Sequence, residues 1–235
     1  ILADADAKVD FNDFVVLVKA FGTSSGEVGY DLMADLNGDD KVNFADFLLF
    51  SQDFGKEAVD APSALRATKP VVLEGVNQDA QVSLSVAGNA RMGEELTLTA
   101  TLSQSESVQG WGLSVKYDPE QYEFVEAVAP QDNLLTSQGG STPVFLVHQD
   151  GEGQVSVANA VSEGAAGSGE GVLAVLRFRP KGEFEQGMFE VYDGILFDTN
   201  QLSNRAYADA ALEVRMVPTA FALAQNYPNP FNPET

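Results

Sequence analysis

The feature that most restricts this sequence is a run of acidic and amide side chains at alternate positions from residue 35, followed by a hydrophobic segment. Carboxylates this close together repel one another unless a cation lies between them. A twelve-residue loop that binds Ca²⁺ supplies oxygen ligands from positions 1, 3, 5, 7, 9 and 12, the seventh through its backbone carbonyl. The spacing therefore predicts a calcium-binding loop followed by a helix, and the alternative is a solvated acidic turn. The predicted ligands are Asp35, Asn37, Asp39, the Lys41 carbonyl, Asn43 and Asp46.

Position 6 of such a loop is usually glycine, and here it is Asp40. We expect Asp40 to adopt the left-handed backbone conformation, which Asp tolerates at modest cost.

An incomplete copy of this loop lies 33 residues earlier. Position 1 of the copy is Leu2, which has no side-chain oxygen. We therefore expect a weaker calcium site there, or one completed by a carbonyl, a water or a shifted frame. Val9 and Val42 both fall at position 8, where we expect an apolar residue to pair each loop with its twin. The predicted ligands of the first loop are Asp4, Asp6, Lys8 (carbonyl), Asp10 and Asp13.

The repeat continues past the loops into residues 13–22 and 46–55, each of which ends in a glycine suited to a helix C-terminus. Their apolar residues recur with helical spacing and predict a small core between two antiparallel helices. Other apolar residues at equivalent places in the two repeats lie off this stripe and indicate a partner-binding face, unless the core stripe is wider. The core residues are Phe14, Leu17, Val18, Phe21, Phe47, Phe50 and Phe54, and those off the stripe are Val15, Val16, Leu48, Leu49, Phe11 and Phe44.

Residues 1–57 resemble the dockerin module of cellulosome-type assemblies, on the motif D-x-N-x-D-x-x-V-N-x-x-D and its degenerate copy. The resemblance implies a small all-α unit with two calcium sites that docks onto a partner protein. Many dockerins carry small hydroxyl residues at loop positions 10 and 11, and phenylalanine at position 10 departs from that pattern. The partner-contacting residues that the resemblance implies are Phe11, Asn12, Val15, Val18, Lys19, Phe44, Ala45, Leu48, Ser51 and Gln52.

The rest of the chain divides into a predicted linker at residues 58–80, a β-rich region at 81–217 and a tail at 218–235. The β-rich region contains about nine short segments of alternating polarity separated by turn residues, which predicts an all-β sandwich or jelly roll. We expect GSGEG (167–171) to belong to a turn, and because it leads into a strand it does not suit a phosphate loop.

The β-rich region resembles a cohesin, the receptor module for dockerins. The resemblance rests on VSLSVAGNARMGEELTLTATLS, on VQGWGLSVKYDP and on GVLAVLRF. The tail phrase QNYPNPFNP resembles the start of a type IX-like C-terminal sorting domain, which implies export to the cell surface or the medium. Since the chain opens inside a motif, we expect it to be a segment of a longer polypeptide.

The amino-acid composition limits the kinds of binding and chemistry that the chain can carry out. The chain has 35 acidic and 13 basic residues, a formal charge of -22 and no cysteine, so nucleic-acid binding is disfavoured and thiolate chemistry is excluded. No apolar run is long enough to span a bilayer. We expect His148, Trp111 and Tyr117 to be structural, the alternative for the two aromatic residues being sugar stacking.

The sequence predicts a non-catalytic, calcium-dependent assembly protein in which the dockerin-like pair docks on the cohesin-like sandwich. Docking within the chain, head to tail between chains, and on other proteins all remain open. The alternatives are a calcium-stabilised carbohydrate-binding region and an accessory domain of a secreted hydrolase.

Overall fold

The computed structural model describes residues 8–56, 77, 79–87, 90–162, 164–198, 203–205, 207–208 and 211–216. The predicted ligands Asp4 and Asp6, most of the linker and the whole tail lie outside the described residues. The helices are α1 (Phe11–Ala20) and α2 (Phe44–Asp53). The strands are β1 (Gln81–Ala87), β2 (Leu96–Val108), β3 (Gly110–Tyr117), β4 (Tyr122–Val128), β5 (Phe145–Gln149), β6 (Gln154–Ala160), β7 (Gly167–Pro180), β8 (Gln186–Phe197), β9 (Ser203–Arg205), β10 (Tyr207–Ala208) and β11 (Ala211–Arg215).

The two helices begin and end in the same way, as the repeat predicts. Each starts at a capping box, formed by Asp10 and Asp13 in α1 and by Asn43 and Asp46 in α2. In such a box the two side chains satisfy backbone N–H groups that the first helical turn leaves without partners. Each helix is followed by a glycine in the left-handed region, with φ values of 88° and 82° at residues 22 and 55. The predicted glycine ends are confirmed.

The two repeats are tied together by the residue at loop position 8. Val42 exchanges two backbone hydrogen bonds of 2.8 and 2.9 Å with residues 22–23, which follow α1. Val9 exchanges two of 2.8 and 3.0 Å with residues 55–56, which follow α2. Each loop is therefore tied to the end of the other repeat's helix, and the two valines lie in separate apolar clusters instead of pairing with each other.

The β-rich region forms two packed sheets, so the predicted all-β sandwich is confirmed. One sheet has the order β10-β1-β2-β7-β4, and the other runs β11-β8-β3-β6-β5 with β9 paired to β8. Side chains alternate along each strand, so one face of each sheet lines the core. Trp111 and Tyr117 are buried in that core, which confirms the structural role predicted for both. In the described part of the chain, neither helix has the length and hydrophobicity of a membrane-spanning segment.

Two segments differ from the sequence prediction. Strand β4 was not predicted, because its charged residues interrupt the alternation; Glu126 pairs with Arg177 of β7 at 2.6 Å. Residues 167–171, predicted as turn, instead begin β7 and pair with the end of β2 through two irregularities in register. Gly169 has φ 86° at that point, a conformation that glycine adopts without strain.

A residue that precedes β1 also packs against the sandwich. Asn77 lies within the predicted linker but is fully buried, and its Oδ1 accepts a 2.7 Å hydrogen bond from the backbone N–H of Glu106.

Candidate docking interface and metal-binding loop

The second acidic loop is built around two buried carboxylates, Asp35 and Asp46. Asp35 accepts hydrogen bonds from three backbone N–H groups at 2.8, 3.2 and 2.9 Å. Asp46 accepts three more, at 2.8, 3.2 and 2.8 Å, from residues 36, 37 and 43. The two ends of the loop are thus held by the first and last of the predicted ligands.

The residues between them turn the loop tightly. Gly38 and Asp40 have φ values of 72° and 66°, which confirms the left-handed conformation predicted for Asp40. Asn37 and Asp39 are exposed and hydrogen bonded to each other, with 3.1 Å between Asn37 Nδ2 and Asp39 Oδ2. Asn43 caps α2 through a 2.8 Å bond from the N–H of Ala45 to its Oδ1.

Hydrogen bonding also perturbs two acids at this loop. The hydroxyl of Tyr30 donates to Asp35 Oδ2 at 2.8 Å, and this bond is the main reason that the pKa of Tyr30 rises to about 12. Burial acts to raise the pKa of Asp35, but the hydrogen bonds from Tyr30 and from the backbone outweigh burial and lower it. Asp35 therefore stays ionised, as a cation ligand must.

The loop's donor set fits Ca²⁺ in kind, since it offers carboxylate, amide and backbone carbonyl oxygens on one tight turn. In the described part of the chain, no three acidic or histidine side chains converge as a metal cluster would. Oxygens of Asp35 and Asp46 instead accept hydrogen bonds from backbone N–H groups. Calcium binding by this loop stays a prediction.

The first loop is described only from Lys8 onward, and here too the acidic side chains bind the backbone. Asp13 Oδ2 accepts from the N–H of Asp10 at 3.0 Å, and Asp10 Oδ1 accepts from the N–H of Asn12 at 2.8 Å. These bonds match those of Asp46 and Asn43 in the second loop. Its calcium site also stays a prediction.

The two helices lie against the second sheet, on the face turned away from the sandwich core. We call this the outer face. At its centre the strand alternation places only small residues, which we call the small-residue floor: Gly110 and Gly112 on β3 with Ala158 and Ala160 on β6. One apolar cluster joins the helices to this face. Its helical-repeat members are Val9, Phe11, Phe14, Val15, Leu17, Val18, Phe47, Phe50 and Phe54, and its sandwich members are Val144, Leu146, Ala158, Ala160 and Phe197.

Phe11 of α1 lies directly against Gly112 of β3. A β-carbon added at Gly112 would lie 2.4 to 2.6 Å from three atoms of the Phe11 ring. The ring of Phe54 lies 5.1 Å from that of Phe11, measured between centroids. On the other side, Phe54 lies 5.4 Å from the ring of His148. The single histidine of the chain therefore packs at this contact, consistent with a structural role.

A charged pair borders the apolar contact. Lys19 is half-buried on α1, and Asp198 is buried just after β8. Burial lowers the pKa of Lys19, and the negative charge of Asp198 acts in the opposite direction. The carboxylate therefore helps to keep the amine charged in a partly dehydrated setting.

A family model of the cohesin domain matches residues 80–211, which is more than half of the chain. The chain belongs to the cohesin domain family. Cohesin domains are non-catalytic protein–protein interaction modules that bind dockerins.

Several solved structures are similar to part of this chain. A non-cellulosomal cohesin from the archaeon Archaeoglobus fulgidus is 19% identical with a TM-score of 0.46, over 59% of this chain and 91% of its own. A type II cohesin domain from the cellulosome of Acetivibrio cellulolyticus is 17% identical with a TM-score of 0.47, over 57% and 94%. The sixth cohesin of the same organism's scaffoldin B, in complex with a Cel5 dockerin, is 18% identical with a TM-score of 0.48, over 59% and 99%. No curated protein is significantly similar to the chain.

The predicted partner-contacting residues divide between two sides of the helical pair. Those on α1 lie towards the cohesin domain: Phe11, Val15 and Val18 are buried, and Asn12 and Lys19 are partly exposed. Of the equivalents in the second repeat, Ala45 and Leu48 are exposed and Ser51 is partly exposed. The side chains of Phe44 and Gln52 are outside the described part of the structure. The repeats are similar in sequence and both contact the sheet, but these positions are covered on α1, and the equivalent described positions on α2 are not.

Sequence reasoning did not identify the cohesin-domain residues that meet the helices. The small-residue floor has a sequence signal, since glycine or alanine occupies every second position in GWG (110–112) and in ANA (158–160). Small residues on one side of a strand and large ones on the other allow close approach of a neighbouring element. Trp111, between the two glycines, is fully buried and cannot stack on a sugar, and nor can Tyr117.

Proposed function

We propose that the chain is an assembly module in which a dockerin-like helical pair, residues 1–57, docks on the outer face of its own cohesin domain. The observation that carries this proposal is the apolar cluster shared by both parts, with Phe11 against Gly112 at its centre. The contact has few charged residues at its core, several buried aromatic side chains and a charged pair at its edge. Protein–protein interfaces have this composition.

Calcium has a defined part in this proposal. Asp35, Asn37, Asp39, the Lys41 carbonyl, Asn43 and Asp46 would hold one ion, and the equivalent residues of the first loop a second. Bound calcium supplies the positive charge that offsets the mutual repulsion of these carboxylates in a chain of net charge -22. Without it, we expect the loops to loosen and the two helices to lose their fixed angle, so that docking weakens.

The same contacts serve docking within one chain or between two. A random coil of the length of the predicted linker, about 20 residues, would have an end-to-end distance of roughly 25 Å and would give an effective concentration in the millimolar range. Docking within the chain is therefore favoured at low protein concentration, and head-to-tail assembly or exchange with other proteins at high concentration. An exported, extracellular setting, suggested by the tail, completes the proposal.

The test uses the absence of cysteine from the chain. A single thiol introduced by Val144→Cys, just before β5, would be buried under the helices, whereas Val147→Cys, within β5, would be exposed. We expect Val144→Cys in the full chain to react with a thiol reagent at least about tenfold more slowly than Val147→Cys when calcium is present. Chelation should remove most of that difference, and magnesium at equal ionic strength should not restore it.

Each outcome addresses one part of the proposal. Equal reaction of the two thiols in calcium would refute docking. Protection that is unchanged by chelation would refute the role of calcium. Protection that rises with protein concentration, together with a larger mass by light scattering, would place docking between chains instead of within one.

A further inference from the structure

At the contact between Phe11 and Gly112, there is no room for a side chain at residue 112 beside the Phe11 ring. A β-carbon at residue 112 would overlap the ring, and distances of 2.4 to 2.6 Å to three ring atoms cannot be relieved by a small shift. The obstruction is also not the end of a long flexible side chain, because a single methylene joins the ring to the backbone of the first residue of α1. A side chain at 112 and a ring at 11 therefore compete for the same space.

Residues of the cohesin domain and of the helical repeats surround this ring, and we call the space that it occupies the slot. In register, Gly112 lies between Ala158 on β6 and Ile195 on β8. The Phe54 ring, 5.1 Å from that of Phe11, closes a further side. Gly112 has no side chain that could fill the slot. Without the Phe11 ring, the apolar atoms around the slot would lose van der Waals contacts that water does not fully replace.

We propose that Gly112 makes this cohesin domain selective for helical-pair modules whose first helix begins with an aromatic side chain. The inference rests on the proposed function and extends it to partners carried on other proteins. A module with a small hydroxyl residue at that position leaves the slot empty, and one with an aromatic residue fills it. A side chain at residue 112 reverses the preference, because it occupies the space of the ring.

The chain allows a test that leaves the calcium ligands untouched, since residue 11 occupies loop position 10 and donates no ligand. Phe11 is kept or replaced by Tyr, Leu or Ser in the full chain carrying the Val144→Cys probe. The series is made once with Gly112 and once with Gly112→Ala. The readout is the rate of thiol labelling in calcium, which measures how often the helices leave the outer face.

With Gly112, we expect Phe and Tyr to protect the thiol best, Leu less, and Ser to label about 30-fold faster than Phe, as expected from exposing one aromatic ring. With Gly112→Ala, the advantage of Phe over Ser should fall below about threefold. Gly110→Ala is the matched control on the small-residue floor, because its added β-carbon would meet Ala160 at 3.0 Å and not Phe11. It should leave the dependence on residue 11 unchanged.

The proposal is overturned if Gly112→Ala accelerates labelling by the same factor whether residue 11 is Phe or Ser, since Gly112 would then act through the sheet alone. It is also overturned if Ser at residue 11 protects as well as Phe with Gly112 intact. Failure of the underlying docking looks different, because the parent thiol would then label as fast as Val147→Cys. Unchanged labelling of Val147→Cys and unchanged near-ultraviolet dichroism from Trp111 verify that each variant folds.

Discussion

The sharpest prediction compares two residues that the repeat makes equivalent. Val15 and Leu48 occupy the same place in the two helices, 33 residues apart, yet Val15 is 6% exposed and Leu48 45% exposed. The perturbation is to replace each with serine. Val15→Ser should release the helices from the outer face, whereas Leu48→Ser should change docking little.

The magnitude follows from burial. Val15→Ser removes buried apolar carbon at about 0.8 kcal/mol per group and leaves a buried hydroxyl costing about 1 kcal/mol, for a total of about 2 to 3 kcal/mol. Leu48→Ser should lose less than about 1 kcal/mol, because its hydroxyl reaches water and the side chain is half solvated. In a helix, replacing leucine by serine costs more intrinsic helix propensity than replacing valine by serine. Helix propensity alone would therefore make Leu48→Ser the more destabilising variant, which is the opposite of the predicted order.

The assay is labelling of the Val144→Cys thiol in calcium, in the full chain. We expect Val15→Ser to accelerate labelling about 30- to 100-fold and Leu48→Ser less than about fivefold. Equal acceleration by the two variants, or a larger effect of Leu48→Ser, would contradict the orientation in which Val15 faces the cohesin domain and Leu48 faces solvent.

Three further predictions concern single groups. Asp46→Ala leaves three backbone N–H groups without an acceptor and should lower the stability of the helical pair by about 3 kcal/mol in urea, whereas Asp39→Ala, on the exposed part of the loop, should cost less than about 1 kcal/mol. The Tyr122 hydroxyl is buried without a hydrogen-bond partner among the described residues, so Tyr122→Phe should leave the melting temperature unchanged or raise it. Burial raises the pKa of Tyr122 to about 12, so the folded state resists its ionisation; stability should fall from about pH 10 to 12 as the unfolded chain ionises, and Tyr122→Phe should reduce that fall in a pH series of thermal melts. Ser114 and Ser156 share a buried 2.8 Å hydrogen bond, so either single alanine variant should cost about 1 kcal/mol and the double variant less than the sum.

The local structure of the helical repeats was predictable because local sequence determines it. Asp10 and Asn43 cap helices, and the following glycines end them, through bonds that reach only a few residues along the chain. The same holds for the left-handed backbone of Asp40, which the loop length requires. Most strands were predictable from alternating polarity, since their inner faces enter a common core. Strand β4 was not predicted from the sequence, because its charged residues form ion pairs with β7 that no local sequence pattern reveals.

The candidate interface was only half predictable. The helical side was visible as apolar residues left outside the core stripe, since so small a unit cannot bury them all. The sheet side was not, because Gly112 and Ala158 become neighbours only through the register of β3 with β6. The lack of a side chain at Gly112 matters for docking because the Phe11 ring lies against it, and the sequence does not reveal that contact.

The sequence alone determined which segments are helices and strands, where the acidic loops turn, and that apolar surface would remain for a partner, because each of these follows from short-range bonding and from periodicity. Only the tertiary structure decided which face of the sheet the repeats meet, and which of their equivalent positions, such as Val15 and Leu48, that contact buries. That choice depends on shape, since the ring of Phe11 fits where Gly112 has no side chain, and such a fit exists only between residues brought together by the fold.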